Sequence, residues 1–308
     1  MKLGRSISLY VRHKQAIGMR FQTEARTLKS FCKFIGNVPL TDVSREEVLS
    51  FLKGRTPISR FWERKHTVLK GFYKFAIARG FVNRSPLPLT IAKPQTIFVP
   101  YIYSRAELRR LFDAIPAIDN CRCLIAPDTF RILLLVLYGT GLRIGEALSL
   151  RISDIDFRAG TLLIRESKFY KTRLLPIGKD LLCVLKSYVK DRPNDNDGPA
   201  FQSRHSKKIS LKNAECAFVR LRHHAGIARG SGNSRNQPRL HDLRATFAVH
   251  RLVSWYRNGE DVQTLLPQLS TYLGHAHISG TQRYLTLIPE LLGEASIRFE
   301  RYAMRCVR

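Results

Sequence analysis

Four prolines, Pro86, Pro88, Pro94 and Pro100, fall within the stretch "NRSPLPLTIAKPQTIFVPYIY", residues 83–103. Proline locks φ and has no N–H to donate, so no continuous helix can run through this stretch, and an extended connector is favoured. On both sides of it apolar residues recur at helical spacing. The chain is therefore expected to fold as two separately built pieces: residues 1–85, a linker over 86–103, and residues 104–308 with a terminal tail at 287–308.

Four helical segments are expected before residue 82. In "TEARTLKSFCKFI", Leu28, Phe31, Cys32 and Ile35 fall at i, i+3, i+4 and i+7, one apolar stripe down a helix. "SREEVLSFLKG" opens with Ser44 and Glu47 at capping-box spacing. "SRFWERKHTVLKGFYKFAIARG" repeats Val68, Phe72, Phe75 and Ala76 on one face and ends at Gly80, a residue suited to a helix C-cap. Together these segments predict a small helical bundle. Beyond the linker, "SRAELRRLF" starts with a second capping box, Ser104 to Glu107. The apolar helix "FRILLLVLYGTG" follows, and "DFRAGTLLIRESKFYKTRLLPI", with a turn at Ala159-Gly160, reads as two or three antiparallel strands. The rest reads as helical. The expected fold class is mainly α with a small antiparallel β-sheet: a helical bundle followed by a helix-dominated α+β domain.

With 44% hydrophobic residues in 308, each piece has enough apolar material for a core. Charge narrows the partner. The chain carries 52 Lys and Arg against 24 Asp and Glu, a net +28, which favours a polyanion, double-stranded DNA first. Residues 1–90 alone hold 18 Lys and Arg against 5 Asp and Glu, on short helices of a size that fits a major groove. No apolar run reaches the roughly 18 residues of a spanning helix, and "MKLGRSISLYVRHKQ" has no signal-peptide core, so a cytoplasmic protein without a membrane role is expected. The six cysteines, Cys32, Cys121, Cys123, Cys183, Cys216 and Cys306, fit neither a disulfide framework nor a zinc knuckle.

Four separated stretches carry candidate chemistry. "GTGLRIGEALSL" offers Arg143, "RESKFYKTRLLPI" offers Lys168, "RLHDLRATFAVH" offers His241 and Arg244, and "LGHAHISGTQRYLTL" offers His275 and, nine residues on, Tyr284. This set, in this order, resembles the tyrosine recombinase, or phage integrase, family over residues 105–285. The basic helical region before it resembles that family's core-binding domain, a SAM-like helical DNA-binding module, and residues 104–308 would then be the catalytic domain.

The resemblance implies a site-specific recombinase that cuts and rejoins DNA through a 3′-phosphotyrosyl intermediate. Arg143 and Arg244 would grip the non-bridging phosphate oxygens, a task that suits planar, permanently charged forks. His241 and Arg244, three apart on one helix face, could reach the same phosphate. His241 and His275 could share proton transfer and oxygen binding, and their division of labour stays open. Lys168, the first lysine of a K-x-x-K-x-R pattern, would be the general acid, with Lys171 as its rival. Tyr284 would be the nucleophile, chosen over Tyr256, Tyr272 and Tyr302 by its spacing from His275.

Glu146 is expected to brace the arginine loop. No metal, cofactor or small-molecule substrate is implied, and the sequence has neither a P-loop nor an acidic metal cluster. Ala245 stands where the family often has a second histidine. The lengthened stretch before LGH resembles recombinases of transposons and other mobile elements, acting in integration, excision or transposition. The family also implies work on DNA as a homo-tetramer, or with sister recombinases, in association with the nucleoid, and a tail that docks either in cis or into a neighbouring protomer. Base contacts are expected from the first domain and from residues 204–240, with a loop at 228–239 that orders on DNA. Two other readings stay open: a type IB topoisomerase-like nicking and resealing enzyme, and a non-catalytic accessory protein that bends DNA.

Overall fold

The computed structural model describes residues 1–53, 60–88, 99–119, 123–165, 172–190, 198–230, 237–275 and 277–285, with 293 and 296. Lys168, Lys171, the centre of the 228–239 loop, part of the linker and nearly all of the tail lie outside the described residues. The chain divides into two compact units, Met1–Phe98 and Val99–Arg308.

Among its described residues the first unit holds four α-helices: α1 (Leu3–Ala16), α2 (Gln22–Ile35), α3 (Arg45–Lys53) and α4 (Arg60–Ala78). Its core joins Leu3, Ile7 and Tyr10 of α1 to Leu28 and Phe31 of α2 and to Leu69, Phe72 and Tyr73 of α4. The apolar stripe of α2 splits by depth. Leu28 and Phe31 are fully buried, while Cys32 and Ile35 only lean on the cluster. The capping box of α3 forms in both directions: Glu47 N–H donates to Ser44 Oγ (3.2 Å) and Ser44 N–H to Glu47 Oε2 (2.9 Å). Past the end of α4, Gly80 adopts φ +67°, and the N–H groups of Gly80 and Phe81 reach back to Ile77 O and Ala76 O, closing the last turn.

The second unit begins with α5 (Arg105–Asp113), whose Ser104–Glu107 capping box is also reciprocal. Next comes α6 (Pro127–Thr140), apolar nearly all round, with Phe130, Leu133, Leu134, Val136 and Leu137 buried. A helix of that kind must be enclosed on most sides. After the single turn α7 (Ile144–Ala147) a three-stranded antiparallel sheet forms in the order β1 (Ile155–Asp156), β2 (Thr161–Ile164), β3 (Arg173–Pro176). Its first turn is held by Asp156 Oδ1, which accepts from the N–H groups of Arg158 and Ala159, and by Gly160 at φ +65°. Helices α8 (Lys179–Lys190), α9 (Leu211–His224), α10 (Asp242–Arg257), α11 (Val262–Leu273) and α12 (Ser279–Gln282) complete the unit. Packing of α6 on α10 and of α10 on α11 brings residues from the middle of the chain to those near its end. Among the described residues no helix is long and apolar enough to cross a membrane.

Candidate active site

Helix α11 ends at Gly274, which takes φ +69° and leaves the last carbonyls of the helix without partners inside it. Three successive carbonyls there each accept from a different arginine. Tyr272 O takes Arg173 Nε (3.2 Å), Leu273 O takes Arg244 Nη2 (2.7 Å), and Gly274 O takes Arg143 Nη2 (3.0 Å). A helix C-terminus carries the negative end of the macrodipole, so it is a natural seat for cations. The three guanidinium groups arrive from β3, from the first turn of α10 and from the loop after α6.

Two further acceptors fix their orientation. Gly141 O, at the end of α6, accepts from Arg244 Nη1 at 2.8 Å. Glu146 receives the Arg143 backbone N–H (3.1 Å) and Arg143 Nη1 (2.9 Å), and both terminal nitrogens of Arg173 (3.2 and 3.0 Å). The expected brace is thus shared between two arginines. Burial opposes ionisation of Glu146, but the hydrogen bonds and charge of Arg173, with those of Arg143, prevail and hold its pKa below the usual carboxylate range. Arg244 is buried, and burial followed by repulsion from Arg143 lowers its pKa to about 10, so it stays charged at neutral pH. Each fork spends only part of its five N–H donors on these anchors.

Around the guanidinium cluster stand two imidazoles and a phenol. His241 stands at the N-cap position of α10 and is exposed to solvent. Crowding by the protein, then the charges of Arg244 and other neighbours, lowers its pKa. His275 follows Gly274 directly, and its Nδ1 shares a hydrogen bond of 2.7 Å with the hydroxyl of the fully buried Thr281. Burial, then Arg244, Arg143 and Arg173, push its pKa down to about 4. Tyr284 N–H donates to Thr281 O at 2.9 Å. The residue is 8% exposed, and its ring lies 6.2 Å from that of His275, tilted by 33°. The phenol also lies close enough to Arg244 to bear on its charge.

Of the six residues expected from sequence, the structure brings Arg143, His241, Arg244, His275 and Tyr284 together; Lys168 lies outside the described residues. Tyr272 is engaged elsewhere. Its hydroxyl donates to Pro176 O (3.1 Å), and burial pushes its pKa up to about 12. Sequence reasoning missed Arg173 and Thr281. Arg173 closes the K-x-x-K-x-R pattern, so its signal was visible, whereas nothing in the sequence marks the hydroxyl of Thr281 as the partner of His275. Among the described residues no cluster of His, Cys, Asp and Glu could hold a metal ion.

The phage integrase family model matches residues 104–290. An integrase/recombinase assignment, y4rB of Sinorhizobium fredii, is 33% identical over 96% of both chains. The tyrosine recombinase XerC of Pediococcus pentosaceus is 31% identical over 78% of this chain and 74% of its own length. Among solved structures, the Tn1549 transposon integrase in complex with transposon right end DNA matches at a TM-score of 0.70 and 16% identity, covering 98% of this chain and 100% of that one. A lambda integrase (75–356) dimer bound to a COC′ core site matches at a TM-score of 0.65 and 19% identity, over 90% and 96%. The last two likenesses concern the fold alone. With the family's motif residues gathered at the end of one helix and full-length relatives above 30% identity, the chain belongs to the phage integrase family, the tyrosine recombinases.

Proposed function

We propose that Tyr284 is the nucleophile of this recombinase and that the arginines around the end of α11 bind the phosphate it attacks. A new bond forms between Tyr284 Oη and phosphorus, and the bond from phosphorus to the 5′ oxygen breaks. This leaves a 3′-phosphotyrosyl enzyme and a free 5′-hydroxyl. Negative charge spreading over the non-bridging oxygens is met by preorganised donors on Arg143 and Arg244, with His275 adding a hydrogen bond. Neutral His241 takes the phenol proton, and Lys168 protonates the departing 5′ oxygen. Attack by a different 5′-hydroxyl reverses the step and reseals the strand, so no external energy source enters.

The observation that carries this reading is the convergence of Arg143, Arg244, His275 and Tyr284 on one helix end, with the forks already oriented by main-chain carbonyls. We further propose that residues 1–85 form a DNA-binding core-binding domain and that the enzyme acts in the integration, excision or transposition of a mobile element. It would work on DNA as a homo-tetramer or with sister recombinases, in the nucleoid-associated cytoplasm. The net charge of +28 and the likeness of fold to a transposon integrase in complex with transposon end DNA support this reading.

A suicide-substrate assay tests the chemistry. Nicked duplexes from the ends of the enzyme's own element should yield, without metal, a protein–DNA adduct that survives denaturant. Tyr284→Phe should abolish the adduct and keep DNA binding. An adduct that persists in Tyr284→Phe, or none from wild type despite tight binding, would overturn the assignment.

A further inference from the structure

One buried residue grips the chain on both sides of His241. Tyr103 is fully buried, and its hydroxyl donates to Arg239 O, two residues before His241, at 3.0 Å. Its backbone N–H donates to Thr246 Oγ1 (3.1 Å), and that hydroxyl donates in turn to Asp242 O (3.0 Å), one residue after His241. Burial drives the Tyr103 phenol pKa up, so it remains a donor. Two more contacts close the bracket. Arg222, a buried residue of α9, donates from Nη1 to Pro238 O at 2.8 Å, and Asp242 accepts the Arg239 N–H (2.9 Å) and Nη2 (2.9 Å). Carbonyls 238, 239 and 242 are therefore all held, and the imidazole between them lies near enough to Arg244 and Arg143 to feel their charge.

We propose that Tyr103 is a positioning residue for strand cleavage, holding His241 at the reacting phosphate through the carbonyls of Arg239 and Asp242. This rests on the role given to His241 above. His241 is exposed to solvent, so the backbone held on either side of it contributes to where its ring stands. A base must lie within hydrogen-bond reach of its proton, and small displacements are costly. The charged groups that bear on the imidazole are Arg244, Asp242, Arg239 and Arg143. Loosening the bracket lets the ring move away from them toward water.

Tyr103→Phe removes one hydroxyl and keeps the ring, so its effect should reach the site and spare the fold. In this variant the His241 ring, followed by NMR in the free protein, should titrate closer to the ordinary histidine value. Single-turnover cleavage of the suicide substrate should fall about tenfold, a modest share of what general base catalysis contributes. DNA affinity, carried by phosphate contacts elsewhere, should not change. Combined with His241→Gln, Tyr103→Phe should cause no further loss, because both act on one group. Thr246→Val, which cuts the second arm of the bracket, should move both readouts in the same direction. An unchanged His241 titration in Tyr103→Phe, or a rate loss that adds in full to that of His241→Gln, would overturn the proposal. A wild-type enzyme that forms no adduct would overturn the phosphotyrosyl reading instead, and the titration would still decide the bracket.

Discussion

Among the described residues, Glu146 is the carboxylate that meets both Arg143 and Arg173, and its side chain is only 8% exposed. Removing its charge leaves two partly buried guanidinium groups facing each other, and breaking such a pair costs about 3 kcal/mol. Glu146→Gln should lower stability by that order in urea unfolding and slow cleavage by misaligning Arg143. The pH dependence follows from the depressed pKa of Glu146. Its contribution is complete above the unfolded carboxylate value of about 4.3 and is lost as pH falls through the lower folded value. The stability curve of Glu146→Gln should therefore be flatter than that of wild type in acid. His275 gives a second signature. Its pKa drops to about 4 on folding, so the unfolded chain takes up the proton first. Its share of stability is present above about 6.5 and is lost as pH falls from there toward the folded value. NMR of the ring should place its midpoint near the lower end of that window, and a midpoint near 6.5 would contradict the burial described.

At the scale of the element, the C-terminus of α11 organises the site, and two glycines make it possible. Gly141 and Gly274 both take positive φ, and each presents a carbonyl to an arginine. A Cβ on Gly141 would come within 2.5 Å of the Phe247 ring and 2.8 Å of Leu273. Left-handed strain and overpacking then act together, at about 3 kcal/mol. Gly141→Ala should lose that much in urea unfolding and most of its cleavage activity, because the carbonyl that holds Arg244 moves with the backbone. At Gly274 a Cβ would meet the Arg173 guanidinium at 2.8 Å, so the cost there falls on the arginine seat itself. The hairpin of β2 and β3 serves the same end, since β3 carries Arg173 to Glu146 across the gap from strand to helix.

At the scale of the whole molecule, charge dominates. A net +28 spread over 308 residues predicts DNA affinity that rests on phosphate contacts and on the release of counterions. Raising salt from roughly 50 to 200 mM should weaken binding by at least about a hundredfold, linearly in log–log form, as read by fluorescence anisotropy. Affinity that ignored salt would contradict the electrostatic account. The cores divide the work. One cluster fills the first unit, while in the second unit the packing around α6 is separate from the cluster that buries Tyr284 among α10 and α11 residues. Tyr284 thus packs among residues of α10 and α11, and α11 is itself tied to β3 through Tyr272, whose carbonyl accepts from Arg173 and whose hydroxyl donates to Pro176 O.

What the sequence determined by itself was local. The capping boxes at Ser44 and Ser104, the stripe of α2, the turn at Gly160 and the spacing of His241 from Arg244 span a few residues each, and helix and turn geometry leave them little choice. The interval from His275 to Tyr284, read beside the two arginine motifs, was enough to name the family. What only the tertiary structure decided was how these pieces are held. Arg143 finds Gly274 O across 131 residues, Arg244 finds Gly141 O across 103, and Tyr103 finds Arg239 O across 136. Each acceptor is a main-chain carbonyl, a group every residue carries, so no letter of the sequence distinguishes it. Its availability depends on where a helix ends and on which helix packs beside it, and those are properties of the folded chain.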